Sequence, residues 1–326
     1  MDTVQDEIEK LRLKCIGCGK CRKVCPSYKH GGCDPMEIMM GSLENVTSCI
    51  TCGTCSAVCR RTDPYIVMKD LLSIVKNAHV SDYYRETGYA FTKNGEVPGD
   101  DLDPEWDGDD VYVMPGCVIK AKAPFIQRAS RAAMDSIGLK SSERPGNTCC
   151  MHPVMFREMH EKERRDVKSA MGVQANGRKI ITLCGGCSSE LQSASVDADH
   201  IIPFLYEHID ALPRFEKPLK VALEPGCEGM QYMKQLRELV VALGCEPIDN
   251  ETGCCGKMTD VAGPLLEERE RECEGADVIV VGCPMCFVKY DSQPGGIPVV
   301  HMAELVAMAA GDYESTRYHR IPVPGN

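Results

Sequence analysis

Beyond residue 110 the chain alternates short apolar runs with longer amphipathic ones. VYVM (111–114), KIITL (179–183), KVALE (220–224) and DVIVV (277–281) are short and almost uniformly apolar, and they read as buried strands. Between them lie stripes at helical spacing. Phe125, Ala129, Ala133 and Ile137 share one face of a segment that opens at Pro124 and stops at Gly138. Met230, Met233, Leu236, Leu239, Val240 and Leu243 do the same over 228–243, ended by Gly244. Plain core packing accounts for both stripes, the methionines included. Strand–helix alternation predicts parallel α/β sheets. Nearer the N-terminus, DPMEIM (34–39) and DPYIVMKDLL (63–72) read as helices, and GEVPGDDLDPEWDGDD within 81–110 reads as an acidic linker.

The alternating part also repeats itself. VMPGC (113–117) is echoed by LEPGC (223–227), TCC (148–150) by GCC (253–255), and LCGGC (183–187) by GCPMC (282–286). Each copy carries one cysteine, then an adjacent pair, then Cys-x-x-Cys, several of them just after a predicted strand, where α/β folds gather their ligands. The expected organisation is residues 1–80, a linker over 81–110, a first module over 111–205 and a second over 206–326.

Composition narrows the function. The 326 residues suffice for several cores, and 43% hydrophobic content argues against disorder. A net charge of −11 speaks against nucleic acid as the main partner. No apolar stretch approaches the roughly 20 residues of a membrane span, and the charged start MDTVQDEIEKLRLK lacks a signal-peptide core. The expectation is a cytoplasmic chain, or one held at a membrane through a partner. In a reducing compartment, 21 cysteines are better explained as metal ligands than as a disulfide framework.

Nine of these cysteines lie within residues 1–80. KCIGCGKCRKVCP (14–26) spells C-x2-C-x2-C-x3-C-P, and SCITCGTCSAVCR (48–60) repeats the spacing without the proline. This is the ferredoxin run for 4Fe–4S clusters, in which the fourth cysteine serves the other cluster. Cys15, Cys18, Cys21 and Cys59 are therefore assigned to one cluster, and Cys49, Cys52, Cys55 and Cys25 to the other. Gly17, Gly19 and Gly53 let the backbone approach the inorganic sulfur. Two four-cysteine zinc sites are the weaker alternative. Cys33 fits neither quartet and reads as a packed thiol.

The modules contain Cys117, Cys149, Cys150, Cys184 and Cys187, and Cys227, Cys254, Cys255, Cys283 and Cys286. Five thiols exceed what a cubane or a zinc ion needs. Successive side chains on a strand face opposite ways, so an adjacent pair serves one site only if a turn re-aims it. In TGCCGKM (252–258), Gly256 supplies that turn at positive φ.

The pattern resembles the CCG modules of heterodisulfide reductase, the methanogen enzyme that cleaves the disulfide of coenzymes M and B. Residues 1–80 resemble its C subunit, and residues 111–310 its B subunit, an order similar to the fused D subunit. The resemblance covers nearly the whole chain and 18 of 21 cysteines, leaving Cys33, Cys245 and Cys273 as structural. It implies an α+β multidomain fold, with a helical two-cluster ferredoxin-like domain followed by two parallel-stranded modules. It implies two cubane clusters and two noncubane 4Fe–4S clusters, one on each five-cysteine module, with the ten module cysteines as both ligands and catalytic apparatus. A small-molecule disulfide held between the two noncubane clusters would be reduced there, fed by the cubane pair. An A-type subunit with flavin and iron–sulfur groups, or a membrane cytochrome, would be the donor. Two departures from the pattern are the missing glycine after Cys149–Cys150–Met151 and the shorter gaps of the second module.

Lys120, Lys122, Arg157, Lys257 and Lys289 lie close in sequence to the cysteines and are candidates for an anion path, although each alone reads as a solvated charge. His152 is a candidate proton donor, although a structural histidine is the plainer reading. No G-x-G-x-x-G or P-loop is present, so no flavin or nucleotide is expected on this chain. The rival readings are an iron–sulfur relay passing electrons from glycolate, lactate or glycerol-3-phosphate oxidation to quinone, and a scaffold whose modules bind zinc.

Overall fold

The computed structural model describes residues 4–93, 95–102, 106, 108–143, 149–257 and 259–325. Parts of the acidic stretch and Thr148 lie outside them. Contacts divide the chain into two compact units. The first comprises Met1–Asp82 with Pro153–Arg164 and Cys254–Glu268, and the second comprises Tyr83–His152, Arg165–Gly253 and Arg269–Asn326. The grouping cuts across the boundaries expected from sequence, because two loop-and-helix excursions of the modules belong with the N-terminal cysteines.

The first unit is helical. Asp34 caps the helix Pro35–Met39 by accepting from the amides of Met36 and Glu37, and Asp63 caps Pro64–Val75 through Ile66 N. Proline at the first helical position of each is preorganised for the turn. Ile8, Ile38, Met39, Val46, Val67, Met68 and Leu71 form the core, with Cys25 and Cys33 among them. The segment Val154–Glu158 packs on the helix Pro64–Val75. There Arg157 binds the fully buried Asp70 and lies 3.6 Å from Glu7.

The second unit holds two parallel sheets of identical topology. β1 (Val111–Met114), β2 (Ser141–Glu143), β3 (Ile180–Thr182) and β4 (Ala198–His200) pair in the order β2-β1-β3-β4. β5 (Lys220–Glu224), β6 (Glu246–Pro247), β7 (Val278–Val281) and β8 (Val299–His301) pair as β6-β5-β7-β8. The central strands β1, β3 and β7 are buried along their length, as doubly covered parallel strands must be. The helix Phe125–Ser136 follows its predicted stripe, and Gly138 stops it at φ 80°. The stripe over 228–243 holds only from Met233 onward. Residues Cys227–Tyr232 wind as a 3-10 helix, whose tighter pitch rotates Met230 out to solvent.

The acidic stretch is part of the second unit. Gly88 O accepts from Cys149 N at 2.6 Å, and Asp101 accepts from the Tyr318 hydroxyl at 3.2 Å. No helix among the described residues is long and apolar enough to cross a membrane.

Candidate iron–sulfur sites

Both ferredoxin-type runs turn at the glycines that their spacing singles out. Gly17, Gly19 and Gly53 have φ of 64°, 72° and 77°. Thr51 stands where the first run has Gly17 and takes the same left-handed turn at φ 47°. Such a turn strains a β-branched residue. Lys257, from the loop after the second Cys–Cys pair, donates to Thr51 O at 3.0 Å and to its Oγ1 at 2.5 Å, which helps hold the turn in place. Cys25, Cys49, Cys52 and Cys55 line one cavity, together with Cys33. Burial pushes the Cys21 thiol up to about 11, with the nearby Cys15 and Cys18 adding to the shift. Cys55 rises to about 12, again chiefly through burial.

In the second unit the two proline–glycine–cysteine turns share one conformation. Gly116 has φ 81° and ψ 166°, Gly226 φ 81° and ψ 163°, a region open in practice only to glycine. Their missing side chains are also needed for space. A Cβ on Gly116 would stand 3.2 Å from Cys187 Sγ, and one on Gly226 2.8 Å from Cys283 Cβ. Each turn therefore lays its strand-end cysteine against the Cys-x-x-Cys loop of the same sheet.

All five thiols of the first module come together. Cys117 and Cys149 sulfurs are 3.7 Å apart. Cys149 contacts Cys150, Cys150 contacts Cys187, and Cys187 contacts Cys184. The row continues into the second module, where Cys184 meets Cys283 and Cys283 meets Cys286. Hydrogen bonds from Cys149 and Cys187 pull Cys150 down, and those from Cys187 and Cys283 pull Cys184 down. Thiolate is the form that ligates a metal. Cys227 lies in the second unit with Cys283 and Cys286, whereas Cys254 and Cys255 group with the first unit. Cys245 and Cys273 are buried in the second unit.

The first module's missing glycine leaves the backbone unchanged in kind. Met151, after Cys149–Cys150, adopts φ 64°, and Gly256, after Cys254–Cys255, adopts 79°. A methionine thus accepts the left-handed turn at a cost of about 1–2 kcal/mol.

Two histidines with no signature in the sequence tie the modules together. His200, at the end of β4, donates through Nε2 to Gly282 O at 2.8 Å, the carbonyl just before Cys283. His301, at the end of β8, donates to Leu183 O at 2.9 Å, just before Cys184. In each ring Nδ1 accepts the amide of a following helix, from Ile202 and Ala303. Burial pushes both down to about 4, so both are neutral at physiological pH. Each module's last strand thereby fixes the other module's Cys-x-x-Cys. We expect His200→Leu, which strands Gly282 O and Ile202 N, to cost about 2 kcal/mol and to lower the thermal midpoint by about 5 °C. An unchanged melting curve would show the clamp to be idle.

Glu224 is the one charge within the apolar end of β5. It is buried beside the turn to Cys227, accepting from Thr252 Oγ1 at 2.9 Å and from Asn250 Nδ2 at 3.4 Å. Burial raises it to about 8, against the opposing pull of Thr252 and Arg269. A raised carboxyl favours the fold while protonated. Its contribution is complete below the unfolded value of about 4.5 and is lost as pH rises through about 8. Relative to Glu224→Gln, the native chain should lose stability across that window by at most about 1.4 kcal/mol per pH unit. Melting both proteins at several pH values tests this, and parallel curves would contradict it.

The candidate basic path is mostly engaged elsewhere. Lys120 pairs with Glu143 at 2.5 Å, Arg157 with Asp70, and Lys257 with Thr51, while Lys122 is exposed and Lys289 half-buried. His152 lies over Gly186 of the Cys-Gly-Gly-Cys loop, with Glu190 3.4 Å from Nδ1 and Glu228 4.0 Å from Nε2. Gly185 and Gly186 are needed there, since a Cβ on either would press on Glu228 or on the His152 ring.

Soft thiolate donors select iron–sulfur or zinc. Among the described residues no three cysteine, histidine or carboxylate side chains gather around one point as the ligands of a single ion do.

The comparisons with known proteins agree. A 4Fe-4S dicluster domain matches residues 7–60, and the cysteine-rich CCG domain matches 111–192 and 221–290. This is a CCG-domain iron–sulfur protein. Among its relatives is the B subunit of the ferredoxin/F(420)H(2)-dependent CoB-CoM heterodisulfide reductase of Methanosarcina acetivorans, 26% identical, with 60% of this chain and 87% of the relative aligned. Its counterpart in the ferredoxin:CoB-CoM heterodisulfide reductase of Methanosarcina mazei is 24% identical over the same shares. The B subunit of a fumarate reductase (CoM/CoB) from Methanothermobacter marburgensis is 22% identical, spanning 94% of this chain and 74% of its own. The dicluster domain and the two CCG regions are joined in one chain here, in the order expected from the cysteine spacing.

Proposed function

We propose that this CCG-domain protein is the iron–sulfur subunit of a thiol–disulfide oxidoreductase, acting on a heterodisulfide of the CoM-S-S-CoB kind. Cys15, Cys18, Cys21 and Cys59, and Cys49, Cys52, Cys55 and Cys25, hold two cubanes. The five cysteines of each module hold one noncubane cluster each. The observation that carries this reading is the row of first-module thiols running through Cys184 into Cys283 and Cys286. Bound clusters would supply single electrons and iron sites for sulfur. The reaction balances as one disulfide, two electrons and two protons giving two thiols, and two adjacent sites let the released sulfurs be caught separately.

The chain's own residues set the stage. The Pro-Gly-Cys turns and the His200–His301 clamp fix the cysteines, and Cys184 and Cys283 are the half-buried members of an otherwise buried row. With no nucleotide fingerprint in its sequence, the subunit takes electrons from a partner, an A-type flavin and iron–sulfur subunit or a membrane cytochrome. It works in the cytoplasm or against a membrane through that partner.

Anaerobic iron, acid-labile sulfide and zinc content, with an EPR spectrum after oxidation in the presence of coenzyme M, tests the reading. About sixteen irons per chain and a thiol-dependent signal are expected. About eight irons with zinc in the modules would overturn it. A full complement indifferent to thiols would leave an electron relay.

A further inference from the structure

The thiol left out of both ferredoxin quartets is placed on the wall of the cavity that one quartet lines. Cys33 is buried there with Cys25, Cys49, Cys52 and Cys55. Its side chain touches those of Cys25 and Cys49. The loop that delivers it is specifically built. Cys25 begins the short helix Pro26–Lys29, and the chain doubles back through Gly31 at φ 78°. Gly32 follows, where a Cβ would lie 2.2 Å from Ser27 Oγ. Ser27 Oγ accepts from Cys33 N at 3.1 Å and donates to Ser48 O at 2.7 Å, next to Cys49. One serine thus ties Cys33 to the start of the second cysteine run. The hydrogen bond fixes the backbone of Cys33 beside the cavity that its side chain lines.

We propose that Cys33 is a fifth ligating thiol of the cluster held by Cys25, Cys49, Cys52 and Cys55, exchanging with Cys25. The inference rests on the proposal that this cavity holds a cubane. In the exchange an iron–sulfur bond to Cys33 forms as the bond to Cys25 breaks. The proton displaced from the Cys33 sulfur passes to the departing Cys25 sulfur that it touches, so no external acid or oxidant is involved. The oxidation state of the cluster is unchanged. Cys25 is the exchangeable member because Cys33 touches its sulfur and shares its hairpin, whereas Cys49, which Cys33 also touches, belongs to the second cysteine run.

The test is anaerobic iron and sulfide content with EPR of the dithionite-reduced full chain, on Cys25→Ala, Cys33→Ala and the double variant. Cys33→Ala should keep the native iron complement through Cys25, which separates ligation from folding, while its spectrum loses the component of the Cys33-bound form; an unchanged spectrum would overturn the exchange. Cys25→Ala should keep the complement but show shifted g-values, as a new sulfur takes the iron. The double variant should lose about four irons per chain. Loss of about four irons from Cys25→Ala alone, or a double variant as full as the single, would overturn the proposal. A native spectrum without two interacting reduced cubanes would instead overturn the reading beneath it.

Discussion

Gly226→Ala should strip about four irons from each chain while the neighbouring folds survive. The glycine sits at φ 81° and ψ 163°, where any side chain costs about 1–3 kcal/mol. Its Cβ would also stand 2.8 Å from Cys283 Cβ and 3.6 Å from Cys286 Sγ. These neighbours are the beginning and end of the Cys-x-x-Cys loop, and Cys283 cannot yield without moving Gly282, which His200 holds. Relief would come by moving the Cys227 turn away from the loop and so opening the site. Gly295→Ala is the control, because Gly295 also has positive φ but faces open space. Iron and sulfide content with circular dichroism measures both. Equal iron in the two variants would show that the turn does not shape the site.

Arg157→Met should cost the first unit about 4 kcal/mol, the usual penalty for orphaning a buried charge. Asp70 has no exposed side-chain surface, and burial already raises its pKa against the pull of Arg157. Without the guanidinium, Asp70 must be protonated or drag water inward. The double variant Asp70→Asn with Arg157→Met should recover most of the loss, since a buried pair is worth little more than an apolar replacement. Denaturant unfolding of the three proteins gives the coupling, and a double variant as unstable as the single would contradict the account. The same contact explains why Arg157, one of the basic residues near the cysteines, belongs to the fold of the N-terminal unit.

How much of this was legible in the sequence varies from residue to residue. The central strands announced themselves because parallel strands covered on both faces are apolar throughout. β2 and β6 did not, because Ser141–Glu143 and Glu246–Pro247 are short, half-polar edges that only their neighbours make into strands. The glycines at 17, 19, 53 and 256 were readable because a tight turn around sulfur needs positive φ. Thr51 and Met151 were not, since they do a glycine's work with side chains that disfavour it. A missing glycine after the first Cys–Cys pair therefore signalled no change of backbone.

His200 and His301 carry no local signature. Each is a lone histidine at the end of a short strand, and its meaning lies in a carbonyl 82 or 118 residues away. The clue was the repeat itself, because both histidines fall at the same place in the two modules. Glu224 was hidden differently. A charge inside an apolar run looks like noise until burial and the Thr252 hydroxyl show where it sits. The grouping of Cys254–Glu268 with the N-terminal unit is a long-range packing fact, built from contacts such as Ser48 with Asp260 at 2.9 Å and His30 with Glu268 at 2.7 Å. No spacing rule encodes it.

The most direct test of the central claim is disulfide turnover by the purified subunit under anaerobic conditions, with reduced viologen as donor and CoM-S-S-CoB as acceptor. The account predicts two thiols released for every two viologens oxidised, with release abolished by Cys184→Ala. Viologen oxidation that is indifferent to the disulfide, in a chain with its full iron complement, would contradict it.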